Sequence, residues 1–426
     1  MSTYYIDPEN GLDINDGLSE SSPKKDYTKI NIQSGDTLLF KCGSLIRGTL
    51  VNVYNNEGET ITYSYYGEGQ KPTFCGSVDT LSNPDAWFEE EKNIWMTDKV
   101  DDEACNFIFN DGEFCGTLRW SKEELCSQGD YFDNCFGTRS IGHSLPCGHK
   151  IYMYSEKNPA EYYSKIECAV YGGRWLAATG NNIVFDGLRF INSGVHGIAG
   201  GGAKNMHIRN CDFEYIGGCV WNTQRKIRFG NGVECWNVAE NVSVTNCRFY
   251  EIYDSGVTHQ GGAECRPAKN LHFDNNVFIK CGMGAYEQRD LMPEFATFNN
   301  NVCIDAGEGF SKLGEEQLPR MSEVWPMPMG HHIFLWRIMT PTDGGHLEIK
   351  NNIFSGSSIG ASVYSIIYKS AEAQVELENN TYCTPENDEL VARWNGKDYK
   401  DFDEYLKEGF DKGAKCEKVD LSQYVK

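Results

Sequence analysis

The 426-residue chain has no apolar run that approaches the roughly 18 residues a membrane span requires, so no membrane partner is expected. Its opening, MSTYYIDPENG, has neither a basic n-region nor an apolar h-region. A cytoplasmic location is therefore the expectation, with secretion the alternative if a leader has been trimmed. Basic residues are scarce: 39 Lys and Arg stand against 61 Asp and Glu, a net charge of −22. That balance argues against nucleic acid or an anionic membrane as partner, and weighs mildly against a polyanionic substrate. EF-hand, P-loop, Gly-x-Ser-x-Gly and His-Glu-x-x-His patterns are all missing, which removes the most easily read metal, nucleotide and serine-hydrolase chemistries. The 17 cysteines are odd in number and form no paired CxxC framework. Cys211, Cys235, Cys247, Cys281 and Cys303 recur at repeat positions, so they are expected as small buried core residues of a protein in a reducing compartment.

What the chain does have is a repeat. Six segments reuse one template: IRNCDF (208–213), VTNCRF (244–249), FDNNVF (273–278), FNNNVC (298–303), IKNNIF (349–354) and LENNTY (377–382). VFDGLRF (184–190) is a degenerate first copy. Where no insertion intervenes the period is about 23–29 residues, the mark of a solenoid whose units are buried only by their neighbours. The units alternate in polarity, are rich in β-branched and aromatic residues, and lack helical periodicity. Asn210, Asn246, Asn275, Asn300, Asn351 and Asn379 are expected to bond from coil to coil as a ladder. Parallel crossovers are nearly always right-handed, so the expected fold is an all-β, right-handed parallel β-helix.

Along the chain, residues 1–75 read as an N-terminal cap and first coils. Residues 76–165 break the rhythm with strands such as NIWMT, FIFNDGEF and KIYMYS, and read as an inserted β-rich subdomain. The main β-helix is expected over 166–385 and a capping tail over 386–426, with a short amphipathic helix within 401–415 from the spacing of Phe402, Tyr405, Leu406 and Phe410. Two coils are lengthened, at 217–230 and 313–330, and such insertions usually build a binding wall or lid.

Gly-led segments follow the template: GVHGI (194–198), GVECW (232–236), GVTHQ (256–260), GAYEQ (284–288) and GFSKL (309–313). Stacked about 4.8 Å apart, they gather His196, Glu234, Trp236, Asp254, His259, Gln260, Glu287, Arg289, Glu308 and Lys312. A solvated strand face is the bland alternative. Alternation in GVECW turns Val233 and Cys235 inward and Glu234 and Trp236 outward, while Asp254 keeps outward parity. The same count turns His259, Glu287 and Lys312 inward, at a high desolvation cost unless a bulge reverses parity or they form a paired network. Glu234, Asp254 and Glu287 form a set of carboxylates on neighbouring coils, the pairing that glycosidic cleavage requires. Trp221, Trp236, Trp325 and Trp336 offer flat apolar faces to sugar rings or, equally, ordinary packing. Arg225, Lys226 and Arg228 read as a solvated loop, and His331 and His332 as structural.

The opening YYIDPENGLDINDGLSESSPKKDYTKIN…GDTLLFKCGSLIRG, with NIWMT, KIYMYSEKNPAEYYSKIE, NGVECW, YDSGVTHQG and AYEQRD…NNNVCIDAGEGFSK, resembles carbohydrate-active β-helix proteins. The resemblance covers most of the chain and points to glycoside hydrolases of the xylosidase and fucosidase/xylanase type. It implies catalysis by Glu234, Asp254 and Glu287, with His259 and Gln260 touching sugar. The coil after Glu287 departs from the xylosidase pattern, since Lys312 stands where a second acid would. The expected activity is hydrolysis of an oligo- or polysaccharide without a cofactor. The alternatives are a polysaccharide lyase or uronate epimerase using Arg289 and Lys312, with Ca²⁺ held by acidic neighbours, or a non-catalytic glycan-binding protein. Nothing in the sequence decides the oligomeric state.

Overall fold

The computed structural model describes all residues except 262–264, 315–328, 358–362, 365–368, 384–390, 395–396 and 426. Its architecture is a parallel β-helix, in which like strands of successive coils pair in parallel. One face runs Leu45–Arg47, Thr73–Cys75, Arg189–Ile191, Asp212–Ile216, Arg248–Ile252, Val277–Cys281, Val302–Ala306, Ile353–Ser357, Thr381–Tyr382 and Lys415–Cys416. A second runs from Thr3–Ile6 through Thr37–Lys41, Ile61–Tyr66 and Asn181–Asp186 to Asp411–Lys412. The third is shorter and carries the Gly-led segments: Trp175–Ala178, the starts of His196–Arg209 and Val233–Thr245, Ser255–Gln260, Gly284–Leu291 and His331–Thr340.

The last residue of each template copy builds the core. Phe213, Phe249, Phe278, Cys303, Phe354 and Tyr382 are in register from coil to coil. Phe213, Phe249 and Phe278 stack at centroid distances of 4.7 and 4.8 Å. The strand spacing alone sets this, so an aromatic recurring once per coil becomes a continuous column.

The asparagine ladder forms one residue later than expected. Asn210, Asn246, Asn275, Asn300, Asn351 and Asn379 all have φ between 55° and 60°. They are the left-handed corner residues, a conformation Asn tolerates better than most side chains. The buried rung is the following position: Asn301 Oδ1 accepts from Asn276 N at 2.8 Å, Asn352 Oδ1 from Asn301 N at 2.9 Å, and Asn380 Oδ1 from Asn352 N at 2.9 Å. Each Nδ2 donates to a carbonyl of the preceding coil, and Asp411 closes the stack on Asn380 and Tyr382. A second ladder, unanticipated, links Asn182, Asn205, Asn241 and Asn270 at another corner.

Between the neighbouring coils paired at Phe74 and Phe190 the chain makes a long excursion. It forms a four-stranded sheet (Ser77–Val78, Ala104–Phe109, Phe114–Cys115, Ile166–Val170) and a five-stranded one (Phe88–Glu91, Ile94–Thr97, Thr117–Leu118, Asp130–Asp133, Ile151–Tyr154). Phe107, Phe109, Tyr131, Ile151, Met153 and Ile166 belong to its own apolar cluster. At the other end, helix Phe402–Lys407 is capped by Asp401, which accepts from Glu404 N, and sinks Tyr405 into the core of the last coils. All 17 cysteines are free thiols.

Candidate active site

Parallel register decides which side chains share the third face. Glu234 pairs with Thr258, and Thr258 with Glu287. Cys235 pairs with His259, and His259 with Gln288. Trp236 pairs with Gln260, and Arg289 with Trp336. Ser255, not Gly256, is opposite Gly284, so counting from the leading glycine misplaces the GAYEQ strand by one residue. Glu287 therefore lies in the outward row of Glu234, and the residue that joins the inward Cys235 row is Gln288.

A cavity of about 660 Å³ opens over this face. Glu234, Asp254, His196, Trp236, Gln260, Arg289 and Trp221 all line it, as do Trp175, Asn231 and Trp336. One wall comes from the excursion and the 217–230 insertion. That insertion folds as an antiparallel hairpin, Cys219–Asn222 with Ile227–Phe229. Ser140 Oγ donates to Val220 O at 2.8 Å, joining the two parts of the wall. The segment leading to Ser140 is held by Glu103, which is fully buried and accepts from Gly137 N and Arg139 N at 2.8 and 3.1 Å. Burial pushes the Glu103 carboxyl up to about 7, against the pull of those two backbone donors.

Glu234 Oε2 accepts from Asn231 Nδ2 at 2.5 Å and from Gln260 Nε2 at 2.9 Å, and lies 3.6 Å from His196 Nδ1. Its Oε1 has no protein hydrogen bond among the described residues. One oxygen is thus clamped while the other remains available to a ligand. Asp254, one coil on, accepts from Gly230 N at 3.0 Å, and Ser255 N donates to Asn231 Oδ1 at 2.9 Å. The Gly230–Asn231 dipeptide ties the two carboxylates together. His196 Nδ1 accepts from Asn231 N at 3.1 Å, so the ring hydrogen belongs on Nε2. Burial holds its pKa below the usual histidine range, with Arg174 adding to that and Glu234 opposing it.

Four expectations need correction. Glu287 is fully buried beneath the cavity, where its carboxylate accepts from Arg289 Nε, Trp336 Nε1 and Ser255 Oγ. With three donors it holds Arg289 over the Trp336 ring, 4.5 Å from its centroid, and does not meet a ligand directly. His259 points inward, as alternation requires, and is satisfied there by Gln288 Nε2 and Asn237 O. Burial pushes it down to about 4, so it is a neutral core residue and not a sugar contact. Glu308 and Lys312 pair with each other at 2.7 Å beside a separate recess lined by Lys280, Asp305 and Gly309. The reason is local: GFSKL is no strand but a 3-10 turn, Gly309–Lys312, and the next strand of the face is His331–Thr340. Trp325 lies outside the described residues.

Sequence reasoning also missed Arg228 and Asn231. Arg228 is buried rather than solvated, donating to Gly218 O and Cys105 O and lying 4.6 Å from the Tyr253 ring centroid. The alternation of Ile227, Arg228 and Phe229 after a turn is the hairpin signal that marked it. Asn231 immediately precedes the Gly-led strand of Glu234, a position the template does not single out.

No family model and no curated protein matches the chain. Among solved structures it is similar to a GH136 lacto-N-biosidase from Eubacterium ramulus (TM-score 0.49, 13% identity, covering 98% of this chain and 68% of that one). It is also similar to XylC in complex with xylose (TM-score 0.48, 12% identity, 89% and 68%). A rhamnogalacturonan lyase follows at a TM-score of 0.33, 13% identity, 89% and 87%.

Proposed function

We propose that the protein is a glycoside hydrolase whose catalytic pair is Glu234 and Asp254. The observation that carries this reading is two carboxylates from adjacent coils lining one cavity, tied by Gly230 and Asn231 and faced by Trp175, Trp221, Trp236 and Trp336. Glycosidic cleavage needs one carboxyl to protonate the leaving oxygen and another to attack the anomeric carbon or activate water. Trp175, Trp221 and Trp236 supply flat apolar faces for pyranose rings, whereas the Trp336 ring is covered by Arg289 and Phe334, and the clamped Glu234 keeps one free oxygen for the scissile bond. The cations considered for a lyase are engaged elsewhere: Arg289 by Glu287, and Lys312 by Glu308.

The test is a screen of aryl glycosides and oligosaccharides by reducing-sugar release, followed by Glu234→Gln and Asp254→Asn. General acid–base catalysis contributes about 10²–10⁴-fold, so each variant should lose at least that from kcat on natural leaving groups. The variant that keeps turnover on a dinitrophenyl glycoside, whose leaving group needs no protonation, identifies the acid. Product anomer analysis by NMR then separates double from single displacement. Full activity in both variants, or sugar retention with no turnover by the wild type, would end the proposal.

A further inference from the structure

Arg174 adopts φ +78°, in the left-handed region that favours glycine, although Gly172 and Gly173 directly precede it. The turn is fixed on both sides: Arg174 N donates to Tyr171 O at 3.1 Å, and Arg174 O accepts from His196 N at 3.2 Å. A glycine would make this turn without strain, so the backbone does not explain the side chain. That side chain lines the cavity, is exposed, and forms no ion pair among the described residues. The other two cavity arginines differ. Arg289 is neutralised by Glu287, and Arg228 is engaged by the carbonyls of Gly218 and Cys105 and by the Tyr131 hydroxyl. In a chain of net charge −22, an exposed guanidinium without a carboxylate stands beside Trp175 and Tyr171 at the rim of the proposed catalytic cavity.

We propose that Arg174 is the recognition point for an oxyanion substituent on the sugar, a uronate carboxylate or a sulfate ester, so that the substrate is an acidic saccharide. The inference rests on the glycoside hydrolase reading for its substrate class. The planar fork of a guanidinium matches either oxyanion bidentately, and the neighbouring rings would hold the sugar that carries it. A single local cation is enough to override the unfavourable charge of the whole chain at the short range of a bound ligand.

The test compares an acidic oligosaccharide pool with the same pool after carbodiimide–borohydride carboxyl reduction, and after solvolytic desulfation. Binding is read by affinity electrophoresis and turnover by reducing ends, for the wild type, Arg174→Met, Arg174→Lys and Arg174→Gly. In the wild type, removing the relevant oxyanion should weaken retention and raise KM by about ten- to a hundredfold, the value of a charge-assisted hydrogen bond. Sensitivity to carboxyl reduction names a uronate; sensitivity to desulfation names a sulfate ester. Arg174→Met and Arg174→Gly should abolish the discrimination, with Arg174→Lys intermediate, and Arg174→Gly should melt no lower than the wild type because it relieves the turn. Equal retention of all pools by the wild type, or discrimination surviving in Arg174→Met, overturns the assignment. Discriminating retention without turnover would remove the hydrolase reading and leave the oxyanion site standing.

Discussion

At the scale of single residues, the cavity separates two carboxylates that line it from one buried beneath it. Glu234 and Asp254 face the opening, whereas Glu287 lies under it with three donors on its carboxylate. Breaking a buried pair by neutralising one partner costs about 3–5 kcal/mol, because it strands the other charge. Glu287→Gln should therefore lower the unfolding free energy by an amount in that range, read as a lower denaturation midpoint, as Arg289, only partly exposed, loses its counter-charge. Activity should fall with it, since Arg289 and Trp336 leave their stacked arrangement at the cavity floor. Glu234→Gln should do the reverse, losing turnover while its melting curve stays close to the wild type. Parallel denaturant melts and rate assays on the two variants check this, and a stable but inactive Glu287→Gln would return that residue to the reacting set.

At the scale of elements, the repeat was legible because every template copy carries its aromatic or cysteine and its corner asparagine at the same offset. Parallel stacking turns that offset into columns. The ladder was misplaced by one position because the last four copies show adjacent asparagines without saying which takes the left-handed corner, while in the first two cysteine follows the corner asparagine. The same one-residue ambiguity misplaced Glu287, since glycine marks where a Gly-led strand begins but not which residue lies opposite it. Glu308 and Lys312 failed differently: GFSKL matches the Gly-led pattern in composition, yet the chain turns there and the face resumes only at His331. Glu234 and Trp236 were correctly turned outward because their strand has no such offset. The corner and the rung make separable predictions. Asn301→Ala orphans Asn276 N and Phe273 O in the core, at about 1–3 kcal/mol for each buried group. Asn300→Ala, at the exposed corner with φ 58°, incurs only the left-handed penalty of about 1–2 kcal/mol. Urea melts should rank Asn301→Ala well below Asn300→Ala; equal losses would mean that the inner ladder contributes nothing beyond the turn.

At the scale of the whole molecule, a chain of net charge −22 wound into one stack repels itself along its length, and that repulsion opposes the compact state. Salt shortens its reach, from a Debye length of about 30 Å at 0.01 M to about 10 Å at 0.1 M. The melting temperature should therefore climb between those two concentrations of NaCl. The proposed recognition of an oxyanion by Arg174 should have the opposite dependence, because the same ions screen its attraction for an acidic sugar. KM for an acidic oligosaccharide should rise over the salt range in which the fold becomes more stable, and its carboxyl-reduced counterpart should show no such rise. Melting curves and initial rates taken in the same buffers give both slopes. Slopes of equal sign would place the electrostatics of the cavity under the charge of the whole chain and remove the local cation from the argument.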